Sequence, residues 1–344
     1  MQALILAGGR GTRLRPLTVY TPKPIVPMLN KPFLLYQIEM LREAGIYEIT
    51  LSLSYQPDKI ELLLGNGSGL GVSLRYITEP SPLGTGGAYK FAAGGYRDTT
   101  IVLNGDILTD LDLKKMVRLH KGKNADATIA VKKVDDPTNY GLVQTDEDGN
   151  VVAFTEKPAS DVGAGTINAG IYILEPSILD LIAADENLSF EYDVFPQILE
   201  RRMAFRAFFL KKEYWRDIGT PKSYWQAHMD LLSGKVLRYP NDHSEDGDTD
   251  VATHASVDKK SVIAKNCNIK SGATIINSVL GEGVVVEERA HIENSVIWSY
   301  TRVSAAAEVR DSVVGKSCHI GRNASISPGS VIGDKSALTD YTQV

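Results

Sequence analysis

The chain has 344 residues, which at ~100–200 residues per domain argues for two domains. Hydrophobic residues make up 43% and charged residues 23%, an ordinary globular mix that excludes disorder, collagen and coiled coil as whole-chain descriptions. With 37 basic against 42 acidic residues the net charge is −5, so no global basic field recruits nucleic acid, and any bound anion must be gripped by a local cluster.

Two cysteines, Cys267 and Cys318, cannot build a disulfide framework and point to a reducing compartment. The first residues carry an apolar run of only five with no basic leader, and no segment approaches the ~20 apolar residues of a membrane span. The expectation is a soluble cytoplasmic protein.

Up to about Gly234, apolar runs alternate with helical patterns. Residues 2–7, 49–53, 73–77 and 100–103 are short, apolar and bounded by turn residues, and read as strands. Between the first two, Leu34, Leu35, Ile38, Leu41 and Arg42 keep helical spacing within 31–44, and Gly45 supplies a stop. Residues 57–64 and 112–120 repeat the helical pattern. This alternation predicts a mostly parallel sheet with helices on both faces. Residues 127–132, 142–145, 151–154 and 166–174 follow as a mixed extension of that sheet, and a helix over 221–232 closes the domain. The expected division is a first domain at 1–235, a polar, turn-rich linker at 236–250 and a second domain at 251–344.

In that second domain Val257, Ile263, Ile269 and Ile275 begin a series of sixteen branched or long aliphatics, mostly six apart, that ends at Val344. Small residues such as Ala255, Ser261, Cys267 and Ala273 sit two positions before them. Asn277-Ser278-Val279, Asn294-Ser295-Val296 and Asp311-Ser312-Val313 recur every 17 residues, where a five-residue step interrupts the sixes. A period of six is no helical stripe. It fits a triangular coil with three short flat faces, aliphatics inward and small residues at the cramped turns. The pattern resembles hexapeptide-repeat, left-handed parallel β-helices, with both cysteines in the small inward slot.

The chemistry is foreshadowed directly after the first strand. Glycines at 8, 9 and 11 permit tight turns that leave successive N–H groups free to approach an anion. The segment lacks the third glycine of a dinucleotide fingerprint and holds no P-loop; Gly315-Lys316-Ser317 has Arg310 where the first P-loop glycine belongs, and lies inside the repeat. Arg10, Arg13, Arg15, Lys23 and Lys31 crowd positive charge into about twenty residues of an acidic protein. Prolines on both sides of Lys23 hold its backbone extended, as a positioned cation requires, although a solvated basic face is the bland alternative. Asp106 follows an apolar strand at the end where parallel sheets place ligands.

Gly8-Gly9-x-Gly11-Thr12-Arg13-Leu14-x-Pro16-Leu17-Thr18 and Pro22-Lys23-Pro24 resemble the signature of sugar-nucleotide pyrophosphorylases, nucleotidyltransferases that act on sugar 1-phosphates. The likeness continues through Pro82-Leu83-Gly84-Thr85-Gly86-Gly87, Asn104-Gly105-Asp106, Tyr140-Gly141, Glu156-Lys157-Pro158, Asn168-Ala169-Gly170 and Trp215-Arg216-Asp217-Ile218-Gly219. With the appended β-helix it is greatest to mannose-1-phosphate guanylyltransferases. The resemblance implies a Rossmann-like α/β nucleotidyltransferase domain with a mixed sheet, followed by a left-handed β-helix. It implies nucleotide contacts from Leu6, Ala7, Gly8, Gly9, Gly11 and Thr12, and from Glu79, Gly84 and Thr85. Arg13 faces the departing phosphates, Lys23 bridges phosphates, and Asp106 joins these two as a catalytic residue that also contacts the nucleotide. Asp106 and Asp217 match the carboxylates that hold Mg²⁺, and Gly141, Glu156, Lys157 and Asn168 match contacts to the sugar 1-phosphate.

Five residues before Gly84, relatives that transfer uridylyl or thymidylyl groups carry a glutamine; here Glu79 stands there. A carboxylate only accepts hydrogen bonds, and guanine offers two adjacent donors, which favours GTP. Alternatives left open are thymidylyl or uridylyl transfer to glucose 1-phosphate, guanylyl transfer to a heptose 1-phosphate, and a non-catalytic paralogue that only senses sugar nucleotides. Acyl transfer by the β-helix, using His254, His291 or His319 as base, is a further alternative; each is more simply a surface residue. Homo-oligomers formed through the β-helix are expected, with no nucleic acid or membrane partner.

Overall fold

The computed structural model describes residues 1–156, 163–239 and 249–344. The chain divides into two compact units, one made of Met1–Arg10 and Leu34–Trp215, the other of Gly11–Phe33 and Arg216–Val344.

The first unit runs β1 (Gln2–Leu6), α1 (Phe33–Glu43), β2 (Glu48–Leu53), α2 (Pro57–Leu64), β3 (Ser73–Thr78), α3 (Gly84–Ala92), β4 (Thr100–Asn104), α4 (Leu113–Gly122), β5 (Ala127–Val134), β6 (Gly141–Thr145), β7 (Val151–Glu156), β8 (Gly165–Leu174), α5 (Phe195–Glu200) and β9 (Phe205–Leu210). The sheet order is β7-β6-β8-β4-β1-β2-β3, with β5 added beside β8 and β9 beside β5. Strands β4, β1, β2 and β3 are parallel, whereas β8 runs antiparallel to both β4 and β5. The sheet is mixed, as the sequence predicts.

The chain leaves β1 toward β2 on one side and returns to pair β4 on the other, so the β1/β4 boundary is the switch point where open α/β sheets bind ligands. Leu6 and Asn104, the last residues of these strands, are paired, and the loops that follow them emerge side by side. Strand β1 is buried on both faces, which its unbroken apolar run reflects: Ala3, Leu4 and Ile5 are wholly enclosed. The far side of the sheet rests on an aromatic cluster in which Phe190, Phe195 and Tyr172 meet at centroid distances of 5.1–5.6 Å.

Helix α3 is missing from the sequence reading because three of its first four residues are glycine, which disfavours an isolated helix. Tertiary packing overrides that propensity: the N–H groups of Gly86 and Gly87 both donate to the carbonyl of Leu188, at 2.9 and 3.0 Å. Strand β9 was not anticipated either; it is edge-paired to β5.

The second unit stacks two- and three-residue strands into three parallel sheets, each strand pairing with the one 17 or 18 residues later. The six-residue spacing is therefore one side of a triangular coil. Where a side has five residues, Asn277, Asn294 and Asp311 take left-handed φ values of 46°, 47° and 45°. Asparagine and aspartate tolerate that conformation. They also ladder, Asn277 Nδ2 donating to Asn294 Oδ1 at 2.8 Å and Asn294 Nδ2 to Asp311 Oδ1 at 3.1 Å. The serines beside them form a second ladder, each hydroxyl oxygen accepting from the serine N–H one coil on. Cys267 and Cys318 are free thiols in the aliphatic core, as their slot in the repeat implies. This unit also contains a hairpin of Pro27–Met28 against Lys31–Pro32 and helix α6 (Pro221–Leu232). Of the expected linker, residues 240–248 lie outside the described residues.

Candidate functional site

In the first unit the chain leaves β1 with Ala7 still bonded to the sheet through Ser52 O at 2.9 Å. Beyond it, the N–H groups of Gly8, Gly9 and Arg10 find no acceptor among the described residues. A Cβ added to Gly9 would meet nothing within 4 Å. Successive unpaired N–H groups beside open space are donors of the kind an anion requires. Gly8 is constrained on its other flank, where a Cβ would lie 2.9 Å from Glu79 Oε1 and 3.2 Å from Ser54 Oγ.

Glu79 is nearly buried and held by two donors, the Ser52 hydroxyl at 2.8 Å and the Leu83 N–H at 3.3 Å. A carboxylate has about four acceptor positions, so two donors leave lone pairs for a ligand beside the loop.

Asp106 follows β4 in a turn fixed from both sides. Gly105 N–H donates to Leu6 O at 2.9 Å, and a side chain at Gly105 would press on Leu6 O at 2.7 Å. From α1, the buried Gln37 donates through Nε2 to the carbonyls of Asn104 at 2.8 Å and Ile107 at 3.0 Å, bracketing Asp106. Gln37 escaped the sequence reading, although a polar residue on the apolar side of a helix was a usable signal.

A bulge in β8 between Asn168 and Tyr172 carries the Asn168-Ala169-Gly170 motif. Gly170 has φ 71° and lies against Asn104, whose Nδ2 would be 2.7 Å from an added Cβ. The Asn168 amide donates to Tyr172 Oη at 2.8 Å, and its oxygen accepts from Gly170 N–H at 2.9 Å. Glu191 gathers this region by accepting from Thr85 Oγ1 at 3.1 Å, with Asn168 Nδ2 and Tyr172 Oη both at 3.4 Å. Burial, and then the Glu191 charge, raises the Tyr172 phenol well above its ordinary pKa and keeps it a donor. Gly84, Thr85 and Asn168 are thus built into the scaffold: a side chain at Gly84 would collide with Leu188 O, and the Thr85 hydroxyl also accepts from Phe190 N–H at 2.9 Å.

Gly141 opposes Glu156 across β6 and β7, and Glu156 Oε2 stands 2.7 Å from the place of its missing Cβ. Tyr140 meets Trp215 edge-on at 5.5 Å, and the Trp215 indole N–H donates to Ala169 O at 2.8 Å. These contacts put Gly141, Glu156, Tyr140, Trp215 and the bulge on one patch of the first unit. Lys157 lies outside the described residues.

In the second unit, Gly11 has φ 63°, and a Cβ there would press on Lys23 Cβ at 2.9 Å and Thr18 Cγ2 at 3.2 Å. Thr18 donates to Gly11 O at 2.7 Å, which packs the half-buried Lys23 stem beneath the loop. The N–H groups of Gly11, Thr12 and Arg13 have no acceptor among the described residues. Arg13 is exposed, and Gly219 makes room for it: a Cβ there would lie 3.3 Å from Arg13 Nη2 and 2.8 Å from Asp217 Oδ2. A guanidinium and a carboxylate therefore share the space above Gly219.

Asp106 and Asp217 offer hard oxygen ligands, and among the described residues no group of three or more His, Cys, Asp or Glu side chains converges. A carboxylate is the hard oxygen ligand that a divalent cation sharing phosphate oxygens takes, unlike the nitrogen and sulfur ligands that zinc prefers. His254 and His319 are exposed and His291 bonds Glu293 at 3.2 Å, so the β-helix histidines are surface residues.

The sequence matches the family described as Nucleotidyl transferase over residues 2–234 and the EIF2B subunit epsilon LbH domain over residues 243–344. It is 37% identical over 294 residues to the mannose-1-phosphate guanylyltransferase of Mycobacterium tuberculosis, covering 83% of this chain and 81% of that protein. It is 42% identical to a probable mannose-1-phosphate guanylyltransferase of Oryza sativa, over 69% of this chain and 67% of the other. Among solved structures, HddC of Yersinia pseudotuberculosis superposes with a TM-score of 0.58 at 38% identity, over 66% of this chain and 97% of that one. The same protein complexed with GMP-PN gives a TM-score of 0.56. With the mixed sheet and the stacked coils already in place, the chain belongs to the nucleotidyl transferase family and acts as a sugar-1-phosphate nucleotidyltransferase.

Proposed function

We propose that the chain transfers a guanylyl group from GTP to mannose 1-phosphate, giving GDP-mannose and pyrophosphate. The observation that carries this reading is the run of N–H groups at Gly8, Gly9 and Arg10 with no acceptor among the described residues, beside the open space at Gly9. A sugar phosphate oxygen attacks the α-phosphorus in line, the bond to the bridging oxygen of the β-phosphate breaks, and pyrophosphate leaves with that electron pair. The nucleophile is already an anion, so no general base is needed. What remains is to hold two polyanions together and neutralise the leaving group.

The residues divide that work. The backbone of Leu6, Ala7, Gly8, Gly9, Gly11 and Thr12 cradles the nucleotide, Arg13 meets the charge that develops on pyrophosphate, and Lys23 bridges phosphates. Asp106 and Asp217 would hold Mg²⁺, which supplies further charge neutralisation when bound. Gly141 and Glu156 receive the sugar; Lys157 is assigned to its phosphate from the motif alone. Asn168, Gly84 and Thr85 line these subsites while bonded into the scaffold. Glu79 accepts from the guanine donors. GTP as donor is further supported by the names of the relatives and by the GMP-PN with which HddC is complexed. The catalytic domain is placed at 1–235, the linker at 236–250 and the β-helix, with a role in homo-oligomer formation, at 251–344. Cytoplasmic residence agrees with the lack of a helix, among the described residues, long and apolar enough to cross a membrane.

The test is pyrophosphate release from GTP, ATP, UTP, dTTP and CTP against mannose, glucose and heptose 1-phosphates, with and without Mg²⁺. GTP with mannose 1-phosphate should be fastest and Mg²⁺-dependent. Preference for UTP or dTTP would overturn the guanine assignment, and GDP-mannose binding with no pyrophosphate released from any pair would favour the sensing paralogue.

A further inference from the structure

The segment Gly11–Phe33, which carries Arg13 and Lys23, belongs to the same compact unit as the β-helix. It is fastened there at three heights along the helix axis. At one end, the hairpin of Pro27–Met28 and Lys31–Pro32 turns through Leu29 and Asn30, with φ of 44° and 65°. Positive φ at both central residues is the two-residue hairpin turn normally built from Asn-Gly, and a leucine there is strained. Strain of that kind persists only where the surroundings fix the backbone. Asn30 Nδ2 supplies the fixing contact, donating to Leu280 O on the β-helix at 2.9 Å.

One coil further, the buried Trp298 indole N–H donates to Tyr224 Oη at 3.1 Å, and the Tyr224 hydroxyl in turn donates to Pro27 O. At the last complete coil, Pro16 lies 3.0 Å from where Gly333 would carry a Cβ, and Lys335 Nζ stands 4.9 Å over the Tyr20 ring. The residues that follow the third sheet's strands form a column along this edge: Ala264, Gly281, Trp298, Gly315 and Gly333. Four of the five are alanine or glycine, which leaves a shelf for a chain segment.

We propose that Asn30, Trp298 and Lys335 are positioning residues for nucleotidyl transfer, through which the β-helix sets the placement of the loop that presents Arg13 and Lys23. The inference rests on the reading of those two cations as phosphate ligands. The hairpin begins four residues after Lys23, and Lys23 is packed against Gly11, so movement at Asn30 is delivered to the loop through a short, proline-stiffened stretch. Lys335 anchors the other side of the same loop, between Arg13 and Lys23.

The test uses the full-length chain. Asn30→Ala and Lys335→Ala should each lower kcat/KM for the triphosphate about 10-fold, a fraction of what misplacing a catalytic group can cost, with melting temperature unchanged. Lys335→Arg should restore activity, because arginine also stacks on tyrosine. In an Arg13→Ala, Lys23→Ala background the losses at Asn30 and Lys335 should shrink to within about 2-fold, since residues that act through the same groups are not additive. Wild-type kinetics in both alanine variants, or losses that multiply undiminished in that double background, would overturn the inference. Trp298→Phe, which keeps the ring and removes the donor, should behave like Asn30→Ala; wild-type turnover there would remove Trp298 from the set. Arg13→Ala alone separates the two readings. Its wild-type turnover would sink the phosphate-loop reading, whereas its inactivity with no effect at Asn30 and Lys335 would sink only the positioning role.

Discussion

Two glycine-rich turns, Gly8 to Gly11 and Gly84 to Gly87, look alike as sequence and do opposite work. At the second, every glycine is in contact with neighbouring protein: side chains at Gly84 and Gly87 would collide with the carbonyls of Leu188 and Glu186, and two of the N–H groups are taken by Leu188. At the first, Gly9 faces open space and its N–H groups are unpaired among the described residues. Absent side chains at Gly84–Gly87 let two chain segments pack, whereas the absent side chain at Gly9 leaves open space beside unpaired donors. Glycines beside charged groups make a third kind. Gly8, Gly141 and Gly219 each hold a carboxylate against the bare backbone, from Glu79, Glu156 and Asp217.

The sharpest break of this contrast lies at the charged groups. Asp106→Asn or Arg13→Ala should lower turnover by roughly 10²–10³-fold with the fold intact, the scale of losing one electrostatic stabiliser. Near-normal kcat in either variant would remove that residue from the mechanism. Gly219→Ala should follow at about 10-fold or more, because its methyl would displace Asp217 and Arg13 together, and a displaced group loses rate steeply. Steady-state kinetics alongside circular dichroism would check it.

Gly9→Ala sharpens the comparison from the other side. No protein atom lies within 4 Å of the added methyl, so melting should be unchanged while KM for the triphosphate rises. Gly87→Ala should do the reverse, lowering stability by about 1–3 kcal/mol through overpacking, read as a shifted denaturant midpoint. Equal behaviour of the two variants would erase the distinction.

The smallest effect concerns pH. Burial depresses the His228 imidazole to about 3, so the folded protein holds it neutral while the unfolded chain protonates it near 6.5. Its contribution is fully present above pH 6.5 and is lost progressively as pH falls toward 3. Denaturation midpoints should decline across that window, and His228→Leu should flatten the decline.

Much of the molecule was legible beforehand, for identifiable reasons. The β-helix announced itself because each side of the coil repeats one local requirement, an inward aliphatic after a small residue, as at Cys267 and Ile269. The switch-point strands were readable because burial on both faces demands continuous apolar runs. Helix α3 was hidden because its stability comes from Leu188, a hundred residues away, rather than from its own propensity. Ser52 and Glu191 were missed for the same reason: each acts through a contact with a distant segment that no spacing rule encodes. The loop's glycines and cations were visible, yet its attachment to the coils through Asn30 and Lys335 was not.

The most direct measurement is a crystal structure of the full chain with a non-hydrolysable GTP analogue and Mg²⁺. The account predicts the phosphates seated on the N–H groups of residues 8–13 with Arg13 beside them, and the guanine edge at Glu79. A triphosphate found elsewhere, with those N–H groups still unpaired, would contradict it.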